Sequence, residues 1–374
     1  MFELIIKETQ SCDKTDITPW NKQAAEVSRS FHEQLSGYEP TPLVSLEQQA
    51  SRLGIAKLLV KDESYRFGLD SFKPLGASFA MGNIVKGWQD GESHVFVTAT
   101  DGNHGRGVAW MAGMLGKKAV VYLPEGASRR RLENILAEGA EGYITELCYD
   151  DAVRLAAAKE KEEGWILLQD TSWDGYKTIP EQIMKGYLTM GLEAYEKMQE
   201  KNTVPTHIFL QAGVGSMAAA MTAFFMDVYR DNPPCIIVVE PDRADCIFRS
   251  AKRDDGEREI FKGKMDTMMA GLACGEPSVT GWSVLRDYAD AFVSCSDEYA
   301  AKGMKVLGAP LPGDRRVISG ESGAVGVGVL DALMTDTELK EFKERLRLNQ
   351  DSVVLCFSTE GATDPDNYWD VVWN

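Results

Sequence analysis

THIFLQAGVGSMAAAMTAFFMDVYR, residues 206–230, changes its pattern halfway along. THIFLQAG (206–213) is a short, continuous apolar run, while GSMAAAMTAFFMDVYR (215–230) is long enough for a helix. A strand that is apolar without strict alternation is covered on both faces. Such a strand, passing through a glycine turn directly into a helix, is half of a parallel crossover unit. The pattern repeats on both sides. Upstream, HVFVTAT (94–100), KAVVYLP (118–124), EGYITE (141–146) and WILLQD (165–170) read as strands. SRRRLENILAEG (128–139) and DDAVRLAAAKEKEEG (150–164) read as helices ending at glycine. Downstream, PCIIVVEP (234–241), AFVSC (291–295) and SVVLCFS (352–358) continue the series. The fold class is therefore α/β, with open parallel sheets and crossover helices.

Composition narrows the function. The 374 residues are 44% apolar and 26% charged, which excludes collagen-like, low-complexity and disordered chains. The length favours two domains and supports a large core without disulfides or a structural metal. A net charge of −17 opposes polyanions, so neither nucleic acid nor an anionic membrane surface is expected as a partner. Cys12, Cys148, Cys235, Cys246, Cys274, Cys295 and Cys356 are dispersed and form no C-x-x-C pair. The four histidines are equally scattered, so neither a disulfide framework nor a zinc site is expected. MFELIIKETQ is not a basic-then-apolar leader, and no apolar run approaches the roughly 18 residues of a membrane span. The expectation is a soluble, cytoplasmic protein.

In open α/β sheets, ligands gather beyond the carboxyl ends of the strands. Here those positions are Asp101-Gly102-Asn103-His104, Asp170-Thr171, Gly213-Val214-Gly215-Ser216, Glu240-Pro241 and Ser358-Thr359-Glu360-Gly361. The glycines of QAGVGSMAAA (211–220) allow close backbone approach, and the helix start behind them favours a phosphate. For a lone G-x-G, a tight strand-to-helix turn is the simpler explanation. Ala218 stands where a dinucleotide fingerprint has its third glycine, so a single phosphate fits better than a dinucleotide. In KDESYRFGLDSFKPLGAS (61–78), Lys73 lies among aromatic and small residues. A lysine attacks carbonyls when its surroundings hold its pKa down, although this stretch alone also suits a surface lysine.

Together, SFKPLGA (71–77), TDGNHG (100–105), AGVGS (212–216) and CFSTEG (356–361) resemble the marks of fold-type II pyridoxal-phosphate enzymes. Their order and spacing are those of the tryptophan synthase β/threonine dehydratase group. Within it the diaminopropionate ammonia-lyases fit best. KDESYRFGL (61–69), ATDGNHGRGVAW (99–110), QDTSWDGY (169–176), VEPDRADCIFRS (239–250), AGLACGEP (270–277) and ISGESGAVGVGVL (318–330) all resemble that branch. The likeness runs from about Gly37 to the C-terminus.

The resemblance implies two open α/β domains with the cofactor between them, the larger from 1–76 plus 191–374 and the smaller from 77–190. It implies a cytoplasmic homodimer acting on an amino-acid substrate. Lys73 would carry pyridoxal 5′-phosphate. Asn103 would contact its 3′-oxygen, and Gly213, Val214, Gly215, Ser216 and Met217 would bind its phosphate. A hydroxyl at Ser358 or, preferably, Thr359 would face the ring nitrogen. A neutral partner there leaves that nitrogen largely unprotonated, which favours β-elimination over transamination. The amides of Thr100, Asp101, Gly102 and Asn103 would hold the substrate carboxylate.

Two departures from the wider group matter. Leu75 replaces a basic residue, and Asp101 replaces a serine in the substrate loop. Asp170 closes WILLQD with a second carboxylate. Either acid could be a simple cap, but the resemblance implies Asp170 as base for the L-isomer and Asp101 for the D-isomer. The expected reaction is α,β-elimination of 2,3-diaminopropionate through aminoacrylate to pyruvate and two ammonia. A serine or threonine dehydratase and a catalytically silent pyridoxal-phosphate-fold binding protein are the alternatives. His104 reads as a helix-start histidine, Tyr149 as either a site or a packing residue, and Glu321 and Ser322 as cofactor support or backbone geometry. The Arg129–Arg131 run reads as a solvated helix face, and Cys246 and Cys274 as buried thiols.

Overall fold

Among the described residues the strands assemble into two sheets, and EGYITE is corrected: its strand, Glu141–Ile144, lies at a sheet edge and is largely exposed rather than covered on both faces. The computed structural model describes residues 1–7, 14–88 and 94–373, so Cys12 lies outside the described residues. The strands are β1 (Phe2–Ile6), β2 (Leu43–Ser45), β3 (Lys57–Asp62), β4 (Val95–Ala99), β5 (Lys118–Leu123), β6 (Glu141–Ile144), β7 (Ile166–Leu167), β8 (His207–Gln211), β9 (Cys235–Pro241), β10 (Ala291–Cys295) and β11 (Val353–Ser358). Seven form one sheet in the order β1-β10-β9-β8-β11-β3-β2, and four form another in the order β6-β5-β4-β7.

The β8, β9 and β11 strands are buried along nearly their whole length, as their continuous apolar runs require. Two pairings depart from the parallel expectation: β1 runs antiparallel to β10, and β2 to β3. β1 is an edge strand, partly exposed throughout, so the doubly covered signature does not apply to it. The buried β3 went unread because it ends in charge. Lys61 and Asp62 are fully covered there, and Lys61 Nζ donates to Thr41 O at 2.8 Å and to Glu193. WILLQD is also corrected: only Ile166 and Leu167 pair as strand, so Asp170 lies past the strand rather than closing it.

The smaller sheet falls inside 77–190 and the larger outside it. The changeovers at 76/77 and 190/191 are not linkers, however, because they lie within the helices Lys73–Val85 and Thr178–Glu200. One apolar core includes Phe96 of the smaller sheet, Met184 and Leu188 of the second of these helices, and Leu210 of the larger sheet. The loops after β4, β7, β8 and β11 line a common cleft.

Candidate active site

Lys73 opens its helix, with Pro74 in the first turn where a missing N–H costs nothing. The preceding residues are pinned to the end of β11: Phe72 N donates to Thr359 O at 3.1 Å, and Ser71 bridges Glu360. The Lys73 ammonium pairs with Asp170 Oδ2. Burial works against both charges, but the partners outweigh it. Asp170 holds the Lys73 pKa above its ordinary value, and Lys73 and His104 pull the Asp170 carboxyl down to about 2. His104 Nε2 lies 2.8 Å from Leu168 O, and its Nδ1 is 3.9 Å from Asp170 Oδ2. Burial lowers the pKa of this ring. It both occupies the helix start, as expected, and forms the wall behind Asp170. Tyr149 donates to Asp170 Oδ1 at 3.4 Å and lines the cleft, which favours the site alternative for that residue.

Opposite this pair the β8 turn forms a cradle. Gly215 has φ +92° and caps the helix Ser216–Val228, whose first-turn amides lack carbonyl partners of their own. A Cβ on Gly213 would sit 3.1 Å from Cys274 Sγ and 3.2 Å from Gly271 O, so any larger residue would have to push these neighbours back. Gly213, Val214, Gly215, Ser216 and Met217 all line the cleft, and Ser216 Oγ donates to Asp170 O at 2.7 Å. At the far end Thr359 lines the cleft, whereas the buried Ser358 does not. Gln211 Nε2 donates to Thr359 Oγ1 at 2.8 Å, leaving the threonine O–H free to donate.

Asp101 and Asn103 also line the cleft. Thr100 and Gly102 do not. Thr100 Oγ1 accepts from Gly102 N at 2.9 Å and Gly105 N at 3.0 Å, and Thr100 N bonds Tyr122 O. Two of the four amides expected to hold a substrate carboxylate are therefore already used, Gly102 within the loop and Thr100 on β5, leaving those of Asp101 and Asn103. Asn103 Nδ2 donates to Glu360 Oε2 at 2.6 Å.

Arg131 requires a correction. Arg129 and Arg130 are exposed, but Arg131 is buried. Its Nη1 donates to Asp101 O at 3.3 Å and lies 3.7 Å from Asp101 Oδ2, and its Nη2 donates to Glu321 Oε1 at 2.9 Å. The detectable signal was its position one helical turn before the buried Ile135. Gln211 and Tyr187 also line the cleft without a sequence reading, and Glu360, among the strand-end residues, had no role assigned. Glu360 stood at a strand end, whereas Tyr187 faces the cleft from the middle of a helix, where sequence offers no cue. Cys246 and Cys274 are buried free thiols on either side of Gly213, with Cys246 Sγ 3.8 Å from its carbonyl.

The cleft thus offers an anion cradle, an amine beside a carboxylate, and a hydroxyl donor. Gln211 Oε1, Ser322 Oγ and Asp101 Oδ2 are buried there without hydrogen-bond partners. A ligand with a phosphate, a carbonyl carbon and an acceptor ring nitrogen suits this donor set, and pyridoxal phosphate has all three.

Comparison with known proteins agrees. The family described as "Pyridoxal-phosphate dependent enzyme" matches residues 35–359. A diaminopropionate ammonia-lyase from Salmonella typhimurium is 49% identical over 366 residues, covering 92% of this chain and 91% of that protein. The Escherichia coli K12 counterpart is 47% identical over 369 residues, covering 95% and 92%. The crystal structure of the Escherichia coli diaminopropionate ammonia-lyase in complex with an aminoacrylate–PLP azomethine reaction intermediate superposes with a TM-score of 0.93. It is 45% identical, and the match covers all of this chain and 97% of that one.

Proposed function

The chain belongs to the pyridoxal-phosphate-dependent enzymes of fold type II, in their diaminopropionate ammonia-lyase branch, and from that premise we propose that it eliminates ammonia from 2,3-diaminopropionate to give pyruvate and two ammonia. The observation that carries the reading is Lys73 placed among Asp170, Asp101 and the β8 glycine cradle in a single cleft. The cofactor is pyridoxal 5′-phosphate, which when bound supplies the electron sink for the bonds that break at Cα and Cβ.

The protein residues do the rest. The amides of Gly213 to Met217 would hold the phosphate at a helix N-terminus. The Thr359 hydroxyl, fixed by Gln211, would donate to a neutral ring nitrogen. Asn103, fixed by Glu360, would contact the 3′-oxygen. The Asp101 and Asn103 amides receive the substrate carboxylate. Asp170 is a weak base while the Lys73 ammonium faces it. Without that pairing burial would raise the carboxyl, and Asp170 would then be able to take the α-proton of the L-isomer. Asp101, from the neighbouring strand end, takes that of the D-isomer.

The family resemblance supports a homodimer and a cytoplasmic setting. Among the described residues no helix is long and apolar enough to cross a membrane.

The test is to incubate the loaded enzyme separately with D- and L-diaminopropionate, D- and L-serine and L-threonine, measuring keto acid and ammonia. Two ammonia per pyruvate from diaminopropionate, with little product from the hydroxy amino acids, is expected. Preference for serine or threonine would make the protein a dehydratase.

A further inference from the structure

Two buried cleft oxygens, Asp101 Oδ2 and Ser322 Oγ, have no hydrogen-bond partner. They come from opposite halves of the molecule, Asp101 from the loop after β4 and Ser322 from the first turn of the helix Glu321–Thr335. Gly271 separates them. A Cβ there would lie 2.9 Å from Ser322 Oγ and 3.3 Å from Asp101 Oδ2. The φ of Gly271 is not positive, so the backbone does not demand glycine; the space does. Glycine at this position keeps both oxygens open to the cleft.

The nearby polar groups are already committed. Both Glu360 oxygens are occupied, by Ser322 N at 3.1 Å and Asn103 Nδ2 at 2.6 Å. Arg131 Nη1 stays 3.7 Å from Asp101 Oδ2, outside hydrogen-bond reach. A buried acceptor without a partner costs about 1–3 kcal/mol, so two facing one corner form a vacancy that a donor group would fill. The donor must reach a carboxylate and a hydroxyl together. A primary ammonium has three hydrogens and the complementary charge; a serine hydroxyl has one hydrogen and no charge.

We propose that Ser322, with Asp101 and the side-chain-free Gly271, forms the subsite for the β-ammonium group of diaminopropionate, making Ser322 a determinant of selectivity against serine. This rests on the function proposed above. The leaving chemistry agrees with it: the Cβ–N bond breaks with its electron pair going to nitrogen, and the ammonium departs as neutral ammonia without needing a proton. A serine hydroxyl would need one, which the Asp101 carboxylate cannot give until it has itself taken a proton.

The test compares wild type with Ser322→Ala, both loaded with cofactor. Steady-state kinetics are measured on D- and L-diaminopropionate and D-serine, alongside cofactor affinity and absorbance titration with each amino acid. For Ser322→Ala, kcat/KM on diaminopropionate is expected to fall about tenfold or more, with D-serine turnover and cofactor affinity unchanged. Gly271→Ala should also lose diaminopropionate binding while keeping the cofactor band. Equal losses on both substrates would overturn the proposal, as would weakened cofactor binding with the diaminopropionate-to-serine ratio preserved. If wild type gives no pyruvate from diaminopropionate, the lyase reading fails and the titrations still decide the subsite. Selective loss of diaminopropionate binding in Ser322→Ala would support it, and equal binding would refute it.

Discussion

Arg131 shows how one side chain can organise a site it does not line. Its stem packs against Gly102, where a Cβ would meet Arg131 Cδ at 2.9 Å, and its guanidinium joins Asp101 to Glu321 across the cleft. Burial and the neighbouring Glu360 push the Glu321 carboxyl up to about 7, against the opposing pull of Arg131. An acid held above its ordinary value keeps a proton in the folded chain that the unfolded chain loses from about pH 4.5. Its contribution is therefore full at low pH and is lost as pH rises through about 7. Wild type should lose on the order of 2 kcal/mol relative to Glu321→Gln between pH 5 and pH 8, read from urea midpoints. Parallel curves would show that Glu321 does not titrate in this range. Lys73, Asp101, Asp170 and Thr359, named from strand ends and from the family resemblance, all line the cleft. Arg131 was missed because neighbouring Arg129 and Arg130 are solvated, and a run of like charges hides the one member whose face turns inward.

The helices Asp297–Gly308 and Glu321–Thr335 meet through glycine. A Cβ at Gly303 would fall 2.1 Å from Ala324 O, and one at Gly328 would fall 1.8 Å from Tyr299 O. Backbone contacts backbone here, which positions the start of the second helix, with Glu321 and Ser322, at the cleft. Alanine is the better helix former by about 1 kcal/mol, yet Gly328→Ala should destabilise the protein by about 1–3 kcal/mol because the helices must separate. A thermal melt checks this, and an unchanged or raised Tm would show that the crossing yields easily. The glycines of ISGESGAVGVGVL (318–330) are plain in sequence, but their partner helix is not, since contacts between helices leave no local pattern. Strands behaved similarly. Those buried on both faces announced themselves, whereas β1 at an edge and β3 with its charged end did not.

At the scale of the molecule, the two sheets meet in a cleft secured by polar contacts between them. Asn103 reaches Glu360, Arg131 reaches Glu321, and Asp150 Oδ2 accepts from Gly275 N at 3.2 Å. Ser216 Oγ meanwhile fixes the backbone of Asp170 from the phosphate side. The α/β class and the shared cleft followed from strand-to-helix alternation, but the domain changeovers did not, because helices continue through both. The consequence of this architecture is that β4 and β7, adjacent in one sheet, send Asp101 and Asp170 into one cleft with Lys73. Division of labour between those carboxylates is the centre of the proposed mechanism. The most direct measurement is pyruvate formation from D- and L-diaminopropionate by loaded Asp101→Asn and Asp170→Asn. Asp101→Asn should lose D-isomer turnover by about 100-fold or more, with only the smaller loss on the L-isomer that a weakened β-ammonium subsite brings, and Asp170→Asn should lose L-isomer turnover while retaining the D-isomer. Equal loss of both isomers in either variant would contradict the assignment of one carboxylate to each isomer.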